Sequence, residues 1–288
     1  LSSAMRITDR LFLITAIAVT AGCGTRKDLG SRAGFANKPE AAALQVRLNE
    51  ASGIADCTKD RNSLWVVEDS GNPPDLLLLR KDGSSVKRLR LKGAANTDWE
   101  EMILVNGDIY IADMGDNLRR RKICTIYRFP EPDPAADTMV NFQAIRFAYP
   151  DRAHDAEALL VDPATKDVFI ITKRDRRSIV YKLEYPYRYT APDTLVRVMK
   201  LPYNGVTAAT ISRDGKEILV RTYGEIYHYP RGENQSIEQA LAGKPRRLNH
   251  RMEPQGESVA FADDGSGFYT LSEKGLSRSV RLFFYRRK

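Results

Sequence analysis

The sequence contains few of the residues on which metal-thiolate sites and cross-links depend. It has 3 cysteines, 3 histidines and 2 tryptophans in 288 residues. No cysteine and histidine spacing typical of a zinc site is present, and no G-x-S-x-G, H-E-x-x-H, Walker or dinucleotide-binding motif appears. The sequence therefore gives no support to a zinc peptidase, a serine hydrolase or a nucleotide-binding fold.

The chain also lacks the features that would explain its positive charge by nucleic-acid binding. The formal net charge is +8 at pH 7, but no long basic run and no aromatic RNA-binding signature accompany it. We expect no nucleic-acid partner, and we interpret the excess charge as a surface bias that favours anionic ligands or anionic lipid.

The N-terminal apolar stretch LFLITAIAV is too short to span a bilayer. We interpret Met5 as the true start of the chain. The basic segment MRITDR, the apolar stretch and the small residues that follow it together form a secretory signal, which ends just before Cys23. Small residues directly before Cys23 resemble a bacterial lipobox, so we expect a signal peptide over 1–22 and a lipid on Cys23. The alternative is an ordinary signal peptide with a chance cysteine. Gly24 favours the outer membrane, with the protein facing the periplasm or, as the alternative, exposed on the cell surface.

Residues 23–40 are polar, basic and glycine-containing, which predicts a flexible tether between the lipid and a folded domain over 41–288. Two cysteines remain in that domain, Cys57 and Cys124. They pair in an oxidising periplasm or stay as two buried thiols, and the sequence does not favour a disulfide.

Helical patterns are almost absent after the tether. Only residues 233–244 show one, with Ile237, Ala240 and Leu241 on a shared face and Gly243 at the end. Elsewhere, short apolar runs alternate with turn signals such as NG at 106 and DDG at 263. The pattern predicts an all-β fold.

The predicted strands repeat with a period near 50 residues. Five windows, EASGIADC, DWEEMILV, DAEALLVD, GVTAATIS and QGESVAFA, each have an oxygen-bearing third residue followed by alternating apolar residues. The third residues, spaced by 48, 57, 50 and 50 positions, are Ser52, Glu100, Glu157, Thr207 and Glu257. About four strands per repeat is typical of a β-propeller blade, so we predict a five-bladed β-propeller, with six blades as the alternative.

The last repeat has only three predicted strands and ends in VRLFFYRRK. A segment before the first repeat, ALQVRL at 43–48, is available as the fourth strand. Pairing of this N-terminal strand with the last blade closes the ring and removes two exposed sheet edges.

The repeated polar position predicts a metal site. In a propeller, the first strand of each blade lines the central channel, so equivalent residues fall on one ring. Three carboxylates and two hydroxyls, with no sulfur or imidazole, favour a hard cation; Ca²⁺ tolerates such an irregular oxygen shell better than Mg²⁺. The alternatives are water held in a polar channel, or one or two protonated glutamates that bond to the backbone. The predicted ligands are Ser52, Glu100, Glu157, Thr207 and Glu257.

The ends of the second strands return to the rim where the first strands begin. This rim has an acidic side and a basic side, an arrangement suited to a phosphate or another anionic ester. Asp69 or Asp113 is the predicted general base, and Lys173 and Arg221 would stabilise developing charge. Other predicted residues of the rim or of the surroundings of the metal are Asp98, Trp99, Asp116, Asn117, Asp155, Tyr223 and Glu273.

The order Ser, Glu, Glu, Thr, Glu, one residue per blade, resembles the calcium-activated nucleotidases, or apyrases. EEMILVNGDIYIADMG and PQGESVAF are similar to windows of that family. The resemblance implies a central Ca²⁺ held by the five ring residues. The DWE, GDN, DAEAL and QGE segments also resemble uncharacterised secreted bacterial propeller lipoproteins and, more distantly, propeller phytases.

Two functions of different classes follow. The first is a calcium-dependent periplasmic hydrolase of a phosphate-type ester. The second is a non-catalytic lipoprotein whose calcium is structural and whose rim binds a protein or an envelope glycan. Both functions require the propeller and its cation. Fold alone does not decide between them.

Overall fold

The computed structural model describes residues 34–48, 50–139, 141–253, 255–272 and 280–288. The predicted signal peptide over 1–22 and the predicted lipidation site Cys23 lie outside these residues. Within them, the chain forms five sheets around a common channel, which confirms the predicted five-bladed β-propeller.

The closing strand and the first two blades come from the N-terminal half of the chain. In chain order these strands are β1 (Glu40–Ala43), β2 (Ala51–Asp56), β3 (Ser63–Glu68), β4 (Asp75–Arg80), β5 (Val86–Leu91), β6 (Trp99–Val105), β7 (Asp108–Asp113), β8 (Cys124–Pro130), β9 (Thr138–Met139) and β10 (Gln143–Ala148). Blade 1 has the order β2-β3-β4-β5, and blade 2 the order β6-β7-β8-β10. The short strand β9 leaves blade 2 to pair with β5 of blade 1.

Blades 3, 4 and 5 follow in the same pattern. Their elements are β11 (Ala156–Val161), β12 (Val168–Thr172), β13 (Ile179–Leu183), β14 (Asp193–Thr194), β15 (Val196–Lys200), β16 (Val206–Ile211), β17 (Glu217–Thr222), β18 (Ile226–Pro230), α1 (Ile237–Ala242), β19 (Arg246–Leu248), β20 (Gly256–Phe261), β21 (Gly267–Ser272) and β22 (Arg281–Arg286). Strand β14 pairs with β10 of blade 2, as β9 does with blade 1. In blades 2 and 3, the connection before the outer strand thus fastens the blade to the previous one.

The innermost strands of the five blades pack against one another in chain order, and β20 of blade 5 returns to β2 of blade 1. Residues of β2, β11, β16 and β20 are buried along their whole length. Burial on both faces explains why these strands appear as nearly continuous apolar runs.

The ring closes through the N-terminal segment, but not through the residues predicted. Strand β1, not 43–48, pairs antiparallel with β22, with Glu40 opposite Phe284. The Leu44 amide still bonds to the Val280 carbonyl of blade 5, and the next amide, that of Gln45, bonds to the Gly83 carbonyl of blade 1. Phe35 is already buried against Phe268, so the fold begins inside the predicted tether.

The predicted helix forms as the shorter α1. Its N-cap is Ser236, which forms a capping box with Gln239, and Ile237, Ala240 and Leu241 are buried as the spacing predicts. Among the described residues, no helix has the length and apolar character needed to cross a membrane.

Cys57 and Cys124 are both buried free thiols, one of the two alternatives left by the sequence. Burial raises the pKa of each thiol to about 12. Neither is suited to nucleophilic chemistry, because the thiolate is the reactive form.

Candidate metal centre

All five predicted ring residues occupy the same kind of irregularity, a β-bulge in the innermost strand. The pairing with the second strand skips one residue in every blade, and the skipped residues are Ser52, Glu100, Glu157, Thr207 and Glu257. A bulge leaves its extra residue outside the ladder and redirects its side chain. The repeated position found in the sequence is therefore a repeated backbone feature.

The two hydroxyls of the ring connect blades. Ser52 Oγ donates to the Trp99 carbonyl at 2.7 Å, which joins blade 1 to blade 2. Thr207 Oγ1 donates to the Gly256 carbonyl at 2.9 Å, which joins blade 4 to blade 5. A hydroxyl that donates keeps lone pairs for a further contact, but the bond shown for each is structural.

Carboxylates converge where the innermost strands begin, at the end of the channel that we call the mouth. Asp69, Asp98 and Glu100 form one group, and Glu100, Asp155 and Glu157 form another; within each, one ligand atom per residue lies within 4.8 Å of the others. Two oxygens on opposite sides of a Ca²⁺ ion are separated by about 4.8 Å, twice a typical Ca–O distance of about 2.4 Å. Glu100 belongs to both groups and is the centre of the arrangement.

The GDN segment makes room for this cluster. A Cβ on Gly115 would lie 2.1 Å from Glu100 Oε1 and 2.5 Å from Asp98 Oδ2. Contacts below 3 Å with two carboxylates exclude any side chain at this position without a rearrangement. Gly115 therefore permits the backbone to pass directly against the carboxylates.

Lys173, predicted at the rim, is buried inside the cluster. Its ammonium pairs with Glu157 and lies 3.6 Å from Glu257 Oε1. The ammonium also lies 4.9 Å from the ring centroid of Tyr223, whose hydroxyl donates to Glu257 Oε1 at 2.7 Å. One side of the ring is thus neutralised by a cation that the chain itself supplies.

Three carboxylates of the cluster have raised pKa values. Burial, with added repulsion from Asp98, raises the pKa of Asp69 to about 7. Burial and then the charge of Glu157 raise the pKa of Glu100. Burial raises the pKa of Glu157 to about 8 even though the Lys173 ammonium opposes this shift. A cation among these groups would favour their ionised forms.

Glu157 provides an observation that favours a bound cation independently of charge. Its Oε2 atom is buried and has no hydrogen-bond partner among the described residues. Buried carboxylate oxygens are rarely left without a partner. A hard cation would satisfy this atom, and the all-oxygen donor set of the cluster fits such an ion.

At the edge of the mouth, the predicted residues of blades 2 and 3 meet. The Asp116 amide donates to Asp155 Oδ1 at 3.0 Å. Arg174 pairs with Asp155 and donates to Asn117 Oδ1. The acidic and amide groups at both ends of the β6–β7 hairpin therefore lie on one face, as predicted from strand pairing.

Asp113 is buried within a structural network. Its carboxylate accepts hydrogen bonds from the amides of Thr97 and Asp98, at 3.4 and 3.1 Å, and pairs with Arg121 Nη1 at 2.8 Å. Arg121 Nη1 also donates to the Gly115 carbonyl. Asp113 holds the loop that carries Asp98, and the sequence analysis missed Arg121, which lies in the NLRRRK segment directly after GDN.

Two more predicted residues are buried in contacts between strands. Arg221 is 1% exposed and donates to Glu253 Oε2 and to the Ser258 carbonyl, at 2.6 and 2.7 Å. Trp99 is fully buried, and its Nε1 donates to the Ala95 carbonyl at 2.9 Å. Both contribute packing between strands. Glu273, another predicted rim residue, lies outside the described residues.

Glu101 is a buried carboxylate that the sequence analysis did not select. It is completely buried, and its two oxygens accept hydrogen bonds of 3.0 Å from the amides of Met102 and Ala209. The sequence shows two consecutive glutamates in DWEEM, and only the first of them occupies the position that repeats in every blade. Only the bulge reveals that both are directed inward.

No model of a known protein family matches the sequence, and no curated protein matches it. Similar solved structures include an aldose sugar dehydrogenase of Streptomyces coelicolor in its PQQ-bound form, 9% identical, with 88% of this chain and 100% of that chain covered and a TM-score of 0.49. A gluconolactonase of Xanthomonas campestris is 11% identical, with 86% and 90% covered and a TM-score of 0.49. A luciferin-regenerating enzyme is 12% identical, with 86% and 95% covered and a TM-score of 0.46. Likenesses at this level carry no argument about function, and the resemblance to the nucleotidases stays a prediction.

Proposed function

We propose that the protein binds a hard divalent cation, Ca²⁺ in preference to Mg²⁺, in the carboxylate cluster at the mouth. The residues that would hold it are Glu100 and Glu157 together with Asp69, Asp98 and Asp155. The observation that carries the proposal is the buried Glu157 Oε2 atom without a partner, inside a group of carboxylates with raised pKa values. The irregular arrangement suits Ca²⁺, whereas Mg²⁺ requires nearly ideal octahedral geometry.

The proposed ligand of the mouth is an anion. Arg174 is partly exposed at the edge of the cluster, and the Tyr223 side chain is exposed beside Lys173. A bound Ca²⁺ would supply positive charge that attracts a phosphate or carboxylate group. Arg174 and Tyr223 would then orient that group by hydrogen bonds.

Calorimetry tests the cation site directly. We expect Ca²⁺ to bind to the EDTA-treated protein and to raise its melting temperature, and Glu100→Gln to lose at least about tenfold in affinity. Glu233→Gln, which removes an exposed carboxylate outside the mouth, is the matched control. Equal Ca²⁺ affinity of Glu100→Gln and the unaltered protein would refute the site.

One observation favours a hydrolase as a second candidate. The pKa of Asp69 is raised to about 7, the range in which a carboxylate exchanges protons most effectively at neutral pH. In this function the cation would be held without Asp69, which takes a proton from a water molecule. The water oxygen bonds to phosphorus as the bond from phosphorus to the ester oxygen breaks, and the leaving oxygen takes a proton from solvent. Lys173 stabilises the developing negative charge. The catalytic roles of Asp113 and Arg221 stay predictions, and both side chains are engaged in buried ion pairs.

Turnover on a panel of nucleotides and sugar phosphates separates the hydrolase from a non-catalytic binder. A hydrolase requires activity that Asp69→Asn abolishes without lowering the melting temperature. Asp82→Asn, at an exposed turn, is the control and keeps full activity. Binding of phosphate compounds without turnover identifies an anion-binding propeller, and recognition of a protein or an envelope glycan is the remaining alternative.

We also propose that the chain is an outer-membrane lipoprotein that faces the periplasm, anchored through Cys23. The support is the signal-like sequence before this cysteine and the small residues next to it. In a bacterial host, labelled palmitate should be incorporated into the full chain and not into Cys23→Ser. Incorporation into both would disprove the anchor.

A further inference from the structure

Two loops on the mouth face form a continuous surface. Residues 114–123 connect β7 to β8, and residues 173–178 connect β12 to β13. Arg119 Nη2 donates to the Arg174 carbonyl at 2.6 Å, and Arg174 donates back to Asn117. The loops of blades 2 and 3 are therefore held side by side.

This surface carries a group of exposed basic side chains, which we call the basic margin. No acidic side chain of the described part of the chain lies within ion-pair distance of any member. The members are Arg119, Arg120, Lys122, Arg176, Arg177 and Lys200. The last three line one surface pocket. Six cations without an acidic partner form a local concentration of positive charge that attracts polyanions.

Apolar side chains lie within the same surface. Leu118 is 70% exposed and Ile123 is 46% exposed, and both flank the basic residues of the first loop. Met252, 65% exposed, precedes β20 on the same face. Large exposed apolar residues next to basic ones are the pattern of a surface that enters the headgroup region of a bilayer.

The acidic residues of the mouth do not cancel this charge at the surface. Glu100, Glu157 and Glu257 are each less than 9% exposed and lie below the basic side chains. Asp69 and Asp98 are half-buried. Lys173 and Arg174 also pair with members of the cluster. The face thus has a recessed acidic centre and an exposed basic margin.

We propose that this face docks on a bilayer containing anionic phospholipid, with the basic margin on the headgroup phosphates and Leu118 and Ile123 inserted between headgroups. A soluble polyanion such as a phosphorylated glycan would use the charges but leave both apolar side chains in water. The apolar residues therefore favour a bilayer. The proposal does not depend on a cation in the mouth.

Vesicle sedimentation tests the proposal with residues 24–288, which contain every described strand and the ring closure. We expect binding to phosphatidylglycerol-containing vesicles, weakened by salt, and little binding to phosphatidylcholine. Replacing Arg120, Lys122 and Arg176 by alanine should weaken binding by about 100-fold, because each basic residue contributes about fivefold. The side chains of these three residues form no hydrogen bond or ion pair with the part of the chain that the structure describes.

Two further variants identify the partner. Lys216→Ala, Lys244→Ala and Arg246→Ala together remove the same charge from other exposed positions and should change binding by less than about twofold if the margin is specific. Leu118→Ser with Ile123→Ser should weaken vesicle binding by about tenfold and leave retention on a phosphorylated-glycan column unchanged. Equal effects of the two triple variants, or full vesicle binding by the double variant, would overturn the bilayer proposal; in the latter case a soluble polyanion is the partner.

Discussion

The Glu101 carboxylate in β6 of blade 2 accepts a hydrogen bond of 3.0 Å from the Ala209 amide in β16 of blade 4. Blade 3 lies between these blades in the ring, so this bond crosses the channel and joins two walls that do not otherwise pair. Glu101 is completely buried, and its bond provides an acceptor for an amide that faces the channel.

Replacing Glu101 by leucine should therefore destabilise the propeller. The Ala209 amide loses its acceptor in a buried position, which costs about 2 kcal/mol. Burial, partly offset by the Ala209 and Met102 amides, raises the pKa of Glu101, so the unaltered protein loses stability as pH rises above the unfolded value of about 4.3. Denaturant titrations should show a smaller difference between the proteins at pH 9 than at pH 5; a growing difference would contradict the shift.

Lys173→Met should have opposite effects on the ion-free and the calcium-bound protein. Burial alone would lower the pKa of Lys173, but the charges of Glu157 and Glu257 raise it, so the ammonium is retained. Its removal leaves buried carboxylates without a counter-charge and should cost about 3 kcal/mol in EDTA. Calcium should bind about tenfold more tightly because a competing cation is absent. Unchanged stability in EDTA would show that the pair is not formed in solution.

Ser52→Ala and Thr207→Val test whether the ring hydroxyls hold the blades or the cation. Each hydroxyl donates to a carbonyl of the next blade, so each substitution should cost about 1 kcal/mol of unfolding free energy. Calcium affinity measured by calorimetry should change by less than about twofold. A large loss of affinity with unchanged stability would instead assign these hydroxyls to the metal.

Glu217→Gln should destabilise the protein in a manner that depends on pH. Burial alone would raise the pKa of Glu217, but hydrogen bonds from His228 and Arg287 outweigh it and lower the pKa to about 2. A lowered pKa contributes stability above the unfolded value of about 4.3, and this contribution is lost as pH falls towards 2. Urea titrations should show a loss of about 1 kcal/mol at pH 7 that shrinks at pH 3. Glu233→Gln, which removes an exposed carboxylate, is the matched control.

Most of the fold could be predicted because it depends on patterns that repeat within short windows. The period near 50 residues gives the number of blades, and the polar third residue marks the start of each innermost strand. The closing strand was predicted in the correct blade but placed at 43–48 in place of Glu40–Ala43. Its register depends on the contact of Gln45 with Gly83, which no local pattern contains.

The candidate site was less predictable because its members come from different blades. Lys173 is sequence-adjacent to the rim residue Arg174, yet its ammonium reaches Glu157 and Glu257. Arg221, which was also predicted at the end of a second strand, lies inside its strand opposite Ala208, and its side chain pairs with Glu253. Which acid each basic residue reaches depends on how the blades pack together, and no local sequence pattern contains that information.

The sequence by itself determined the number of blades, the closure by an N-terminal segment and the repeated polar position, since strand alternation and turn residues act over a few residues. Only the tertiary structure decided that Asp69 and Asp98 join Glu100, that Lys173 neutralises one side of the cluster and that Glu101 crosses the channel. Those contacts exist only after five bulged strands have been brought around one axis, where residues separated by whole blades come within hydrogen-bonding distance.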